Sequence, residues 1–458
     1  MQLTVSQAFG ALRAEDEPWL EQCFVAPADF ERIVSNRSEV IFGSIGSGKT
    51  ALYETIKRKN RGPSGEPIRL LIDWRISAPA AIDPERASSM VRSQVQHLFD
   101  LCAVQLATHI VNFPERFVAA PEWVQQRINW FIQSYVTGSP ELRLGHLIAR
   151  NLPGSSALRS LLDSKPPAFL HPNAAPQETI EELTLGLEQI GLQGVWFLVD
   201  DIERHAHNDE KLMLEMFQAL LGTLPIFEKS GFVFKLFVPE RFEGVFSRTS
   251  GFERRRIAGI RLRLTSIELE RIVNKRLQFV TGDPEFHLGR LYSESEILTW
   301  LRATGAESPR HWLDQVYPMI GHYIAHDLDR MLTKKEWNSL RQNYPPQFYF
   351  YPDKKSVIVG GKVMTLDEVP PNAVDMLAYL FAHNNEIVSR EELYFLAFKP
   401  GLQRIPVVGE KEYESPNDYR GALDTALWRL RNAIEPDPKF PVLLETKRGH
   451  GVLLHVRF

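Results

Sequence analysis

The sequence predicts an α/β chain: a parallel sheet interrupted by an inserted helical segment, then a helical block, then a smaller strand–helix–strand segment at the C-terminus. Three observations predict it. A glycine-rich loop at residues 43–50 stands between a short apolar run with β-branched residues and a helical pattern. A fully apolar run, GVWFLVDD at residues 194–201, ends in two acids, as a strand buried on both faces of a parallel sheet does. A proline and aromatic cluster, NYPPQFYFYPDKK at residues 343–355, breaks the alternation and marks a boundary.

In order along the chain, SEVIF (38–42) reads as the first strand and KTALYETIKRK (49–59) as the helix after the loop. IRLLIDW (68–74) reads as a second strand, and about a hundred proline-punctuated, helix-rich residues follow it as an insertion at about 80–175. The helix ETIEELTLGLEQIG (178–191) leads into the third strand. A helix at 210–221, the strand FVFKLFV (232–238) and the strand IRLRL (260–264) complete the alternation, and residues 266 to about 341 read as helical. The expected domains are a nucleotide-binding core over 1–265, a helical lid over 266–342 and a C-terminal domain over 343–458.

Composition narrows the function classes. A net charge of -4 argues against coating nucleic acid or anionic membrane through bulk positive charge, so any DNA contact is local. No apolar run approaches the roughly 18 residues that span a bilayer, and the start carries no signal-peptide pattern, so the expectation is a cytoplasmic protein without a membrane partner. Cys23 and Cys102 stand apart with no Cys/His cluster, which leaves zinc and disulfide frameworks without support; both read as buried, reduced thiols.

The loop itself, Gly43-Ser44-Ile45-Gly46-Ser47-Gly48-Lys49-Thr50, fits G-x-x-x-x-G-K-[ST]. Its glycines let backbone N–H groups turn inward around phosphates at a helix N-terminus, Lys49 reaches toward the β- and γ-phosphates, and the Thr50 hydroxyl is suited to Mg²⁺. A second acid is needed for the metal's water shell, and Asp200 and Asp201 are the pair so placed. With these two motifs the chain resembles the AAA+ and STAND branch of the P-loop ATPases. That resemblance implies ATP with Mg²⁺ as ligands, Asp200 ordering the metal through water, and Asp201 polarising the attacking water, with Glu203 as the fallback base. It also implies a lid arginine, and GAESPRHWLDQVYPMI (305–320) places Arg310 at a helix start for that role. The polar sensor usual after the fourth strand is replaced by Pro239, leaving Glu240 or Arg241 as stand-ins. Arg254, Arg255 and Arg256 fall where oligomeric members keep an arginine finger, although a charge run of this kind also reads as a solvated face. His205 and His207 lack metal-ligand spacing and read as surface histidines.

The last hundred or so residues carry a second resemblance. The stretches at 357–398, 419–438 (YRGALDTALWRLRNAIEPDP) and 443–454 (LLETKRGHGVLL) resemble the OmpR/PhoB-type winged-helix effector domain. It implies that a third helix enters the DNA major groove and that a wing reaches phosphate. Matching positions are Arg429 and Arg431 on the helix and Thr446, Lys447 and Arg448 on the wing. Ala422, Leu423, Ala426, Leu427 and Leu430 form an apolar stripe at helical spacing, which leaves Arg420, Thr425, Trp428, Arg429 and Asn432 off it. The segment departs from the pattern in three ways. Gly421, Ala422 and Ala426 replace basic residues, the preceding loop is long and acidic, and 14 basic side chains face 15 acidic ones from residue 345 onward.

The expected function is therefore an ATP-dependent switch with slow hydrolysis that couples nucleotide state to double-stranded DNA binding. It would serve as a transcription regulator or as a component of an antiviral defence or mobile-element system, with self-association and a protein partner supplying any effector activity. The alternative is a nucleotide-binding scaffold whose winged helix docks a partner protein, anchored by Trp428.

Overall fold

The computed structural model describes residues 5–10, 13–63, 65–74, 87–165, 175–200, 231–246, 258–305, 307–399 and 401–458. These divide into two compact units, residues 26–263 and residues 1–25 with 264–458. Among the described residues no helix is long and apolar enough to cross a membrane.

The unit of residues 26–263 is built on a five-stranded parallel sheet. Its strands are β1 (Glu39–Gly43), β2 (Leu70–Asp73), β3 (Val195–Val199), β4 (Phe232–Pro239) and β5 (Ala258–Arg261), in the order β2-β3-β4-β1-β5. The apolar runs read from the sequence are these strands, shifted at their ends by one to three residues. Every residue of β1, β3 and β4 is buried, which is why these stretches lack the polar alternation of a one-sided sheet.

The two faces have different partners. Val40, Phe42, Phe197, Phe234 and Leu236 point into a core shared with the inserted helices, where Phe197 and Phe234 stack at 4.6 Å across the strand pair. The insertion supplies helices Ala87–Asn112, Pro114–Val118, Glu122–Tyr135, Pro140–Ala149 and Ser155–Asp163. Phe99, Phe131 and Tyr135 form its aromatic centre, with ring centroids 4.9–5.0 Å from Tyr135. On the opposite face Tyr53, from the helix Lys49–Lys59, meets Phe237 of β4 edge-on at 5.7 Å. The loop-bearing helix therefore lies against this second face. Cys102 and Cys23 are both buried and free.

The other unit holds one hydrophobic core that joins Ala8 and Phe9 to residues from Leu264 to Val456. Helices Ser266–Thr281, Glu294–Thr304, Pro309–Ala325 and Lys334–Asn343 form its first part, two of them opened by capping boxes at Thr265 and Thr333. The first 25 residues fold with these helices. Buried Arg276 donates to Glu17 at 2.7 Å and to the Ala8 carbonyl at 2.8 Å. Ala8 and Phe9 are buried in the same core, and Trp19 stacks on Phe279 at 6.3 Å.

Beyond it come an antiparallel sheet, β6 (Phe348–Tyr351), β7 (Ser356–Val359) and β8 (Lys362–Thr365), and the helix Pro371–Ala382. A short strand β9 (Ile387–Val388) precedes a turn-rich helix over residues 390–398. The helix Pro416–Ile434 follows, and a hairpin of β10 (Leu444–Lys447) and β11 (Gly451–Leu454) pairs with β9. The expected apolar stripe on the Pro416–Ile434 helix needs one correction. Ala422 is exposed, and the stripe begins instead at Tyr419, buried and stacked on Tyr394 at 4.2 Å. A single methyl group gains little from burial, whereas a tyrosine ring one turn earlier fills the gap.

Candidate functional site

All five strands of the parallel sheet run the same way, so Gly43, Asp73, Pro239 and the residue after Val199 share one edge. Crevices outside the carboxyl ends of parallel strands are where such sheets bind ligands. The glycine-rich loop leaves β1 at this edge and turns into the helix Lys49–Lys59 through Gly48, whose φ of +96° is a left-handed conformation that only glycine adopts without strain. Gly43 is closely packed instead. A Cβ there would fall 2.5 Å from the Ser47 Oγ.

Within the loop Lys49 is almost fully buried, and its Nζ donates to the carbonyls of Gly43 at 2.8 Å and Ser44 at 3.0 Å. The Ser47 Oγ is buried with no hydrogen-bond partner among the described residues. Gly46 and Gly48 are partly exposed and Ser44 is exposed. Across the edge, the Thr50 Oγ1 donates to the Asp200 Oδ2 at 3.2 Å, although 150 residues separate them in sequence. That bond joins the two motifs that the sequence placed apart. Asp201 and Glu203 lie outside the described residues, as do His205, His207, the 210–221 helix and Arg254 to Arg256.

Pro239 pairs in register with Gly43, so Glu240 follows it at the same edge. Its carboxylate is held by Arg263 at 3.4 Å, while the Arg241 guanidinium lies over the Phe242 ring at 4.8 Å.

No family model matches the chain, and no curated protein matches it. The site is therefore read from its own residues.

One group at this edge escaped the sequence reading. Asp73, the last residue of β2, accepts from the Tyr53 hydroxyl and lies 3.2 Å from the Lys57 Nζ. Burial, followed by the bond to Asp73 and the charge of Asp200, pushes the Tyr53 phenol well above its ordinary range. An acid closing an apolar strand, as in LLID, was the available signal.

Arg310 belongs to the other unit, where it is the exposed second residue of the helix Pro309–Ala325. The C-terminal set separates into two groups. Arg420, Thr425, Trp428 and Arg429 are exposed on the helix Pro416–Ile434, as is Arg448 at the hairpin tip, with Lys447 half-buried beside it. Arg431, a DNA-contact position by the resemblance, instead turns inward, toward a backbone carbonyl and a hydroxyl. Its Nε donates to the Leu444 carbonyl at 3.1 Å and its Nη2 to the Thr446 Oγ1. Arg431 and Thr446 thus fasten the helix to β10.

Proposed function

We propose that the chain is an ATP-dependent switch. Mg²⁺-ATP binding and slow hydrolysis at the loop of residues 43–50 and at Asp200 govern DNA binding by the C-terminal segment, which serves as a winged helix. The observation that carries this reading is the Thr50–Asp200 hydrogen bond at 3.2 Å, at the edge where the glycine loop opens.

The donor set supports it. A hydroxyl facing a carboxylate is the pair that holds Mg²⁺ through direct and water-mediated contacts, and Lys49 brings an ammonium to the same loop. The buried, unpartnered Ser47 hydroxyl gives a further polar group there. When bound, the metal would neutralise phosphate charge as it develops. The chain's own residues bind and orient: the loop N–H groups and Lys49 hold phosphate oxygens, and Asp200 fixes the metal side. The resemblance assigns Asp201 to orienting water, Glu203 to the reserve, and Arg310 to reporting nucleotide state.

Titration calorimetry of the full chain with ATP, with and without Mg²⁺, tests the site. Lys49→Ala removes a charge-assisted hydrogen-bond donor and is expected to weaken binding by about 2 kcal/mol, or about thirtyfold in Kd. Asp200→Asn is expected to abolish the Mg²⁺ dependence while leaving metal-free nucleotide binding in place. Unchanged affinity in Lys49→Ala would remove the site assignment.

A further inference from the structure

On the exposed face of the helix Pro416–Ile434, Arg420 and Arg429 can reach outward, but few other groups are placed to read base-pair edges. Major-groove readout relies on Arg, Lys, Asn or Gln placed for bidentate hydrogen bonds. Here Gly421 and Ala422 have no reach, and the Thr425 hydroxyl donates to the Gly421 carbonyl at 2.8 Å. The Asn432 amide donates to the Trp428 carbonyl at 3.0 Å. Asp424 is paired with Arg390, and Arg431 is held by the hairpin.

What the face does present is Trp428, 63% exposed and without an aromatic or cationic partner among the described residues. An exposed indole at the middle of a helix face carries a broad π surface and a single N–H donor. It cannot distinguish base pairs by their edges, but every unpaired base has a face that stacks on it.

The surroundings are complementary to a phosphate backbone. Arg429 adjoins Trp428 in the sequence and is exposed. The bonds from Arg431 to Leu444 and Thr446 hold β10 beside the helix one turn beyond Trp428, and Lys447, Arg448 and His450 follow at the hairpin end. The acid of that strand, Glu445, is occupied by His455 at 2.9 Å, with Lys447 at 3.8 Å. A stacking ring on a helix that carries cations, with more cations on the hairpin fastened to that helix, suits single-stranded nucleic acid.

From this placement we infer that the face binds DNA through unpaired bases, in a single strand or the single-stranded arm of a junction. Trp428 is its stacking platform, and Arg429, Lys447 and Arg448 are its phosphate contacts. The inference rests on the reading of the C-terminal segment as a DNA-binding module and names the form of DNA it takes.

The test measures binding of the full chain to a labelled single strand, a blunt duplex of the same sequence and that duplex with a single-stranded arm. It compares wild type with Trp428→Ala, Trp428→Phe and Arg429→Ala, each checked for unchanged circular dichroism. The expected result is tighter binding to the strand and the armed duplex than to the blunt duplex. Trp428→Ala should lose about tenfold on the unpaired probes, and Trp428→Phe should recover most of it. Equal affinity for the blunt duplex, or no loss in Trp428→Ala, would overturn the inference and leave a duplex reader. No binding to any probe would overturn it together with the DNA part of the proposed function. Calorimetry with Mg²⁺-ATP on the same sample separates that outcome from failure of the nucleotide site.

Discussion

Lys235 is a cation in the middle of a central strand, and the register explains how it is tolerated. It lies directly opposite Glu39 on β1, with 3.3 Å between charges, and its other donors reach the carbonyls of Ser35 at 2.9 Å and Arg37 at 2.6 Å. The pair sits at the end of the sheet away from the glycine-rich loop, so it belongs to stability. Lys235→Met alone takes the buried cation from Glu39, which keeps Arg32 at 3.1 Å, and is expected to cost about 2 kcal/mol in urea unfolding, whereas Lys235→Met/Glu39→Leu should restore most of it. Burial holds the Lys235 ammonium down from 10.5 to about 8, against the opposing pull of Glu39. In the window from 8 to 10.5 the unfolded chain keeps a proton that the folded chain has released, and stability rises with pH there. Wild type should therefore gain about 1–2 kcal/mol on the double variant between neutral pH and the middle of that window. A pH-independent difference would mean that the lysine is not desolvated.

At the scale of elements, two clamps hold the C-terminal segment together. The Glu435 carboxylate, just past the end of the Pro416–Ile434 helix, accepts from the backbone N–H groups of Val442 at 2.9 Å, Leu443 at 3.0 Å and Leu444. Burial pushes its carboxyl upward, and the backbone bonds pull the other way. Glu435→Ala would leave buried donors unpaired and is expected to cost about 3 kcal/mol in chemical denaturation, with Glu435→Gln recovering part. Near the C-terminus, Arg457 makes paired bonds to Asp314 of the Pro309–Ala325 helix, donates to the Pro345 carbonyl at 2.8 Å and lies over the Tyr344 ring at 4.0 Å. This ties the last residues to the helix that begins beside Arg310. Asp314→Ala should lower the melting temperature and raise hydrogen exchange in both β6 and the start of that helix. An effect confined to one of them would show that the two do not open together. Neither clamp was legible in the sequence, because each joins a charged residue to backbone or side-chain groups fixed only by tertiary packing. The strands were legible, since a sheet covered on both faces writes unbroken apolar runs such as VWFLV.

For the whole molecule, the legible part of the candidate site was its glycine-loop side. A glycine–lysine–threonine loop between strand and helix has a local signature, and the acid after an apolar strand has another; the 3.2 Å bond between Thr50 and Asp200 brings them together. Asp73 went unread because its partners, Tyr53 and Lys57, stand on the preceding helix Lys49–Lys59 and meet it only once that helix packs on the sheet. The two compact units meet in sequence at residues 263–264, and residues 1–25 belong with the second. The central claim is that nucleotide held at one unit changes DNA binding by the other. Its most direct test is the DNA affinity of the full chain across a salt series in Mg²⁺-ATP, Mg²⁺-ADP and no nucleotide, beside Lys49→Ala. The account predicts an affinity whose logarithm falls linearly with the logarithm of salt, that differs between the ATP and ADP states, and that loses that difference in Lys49→Ala. The same affinity in all three nucleotide states would contradict it.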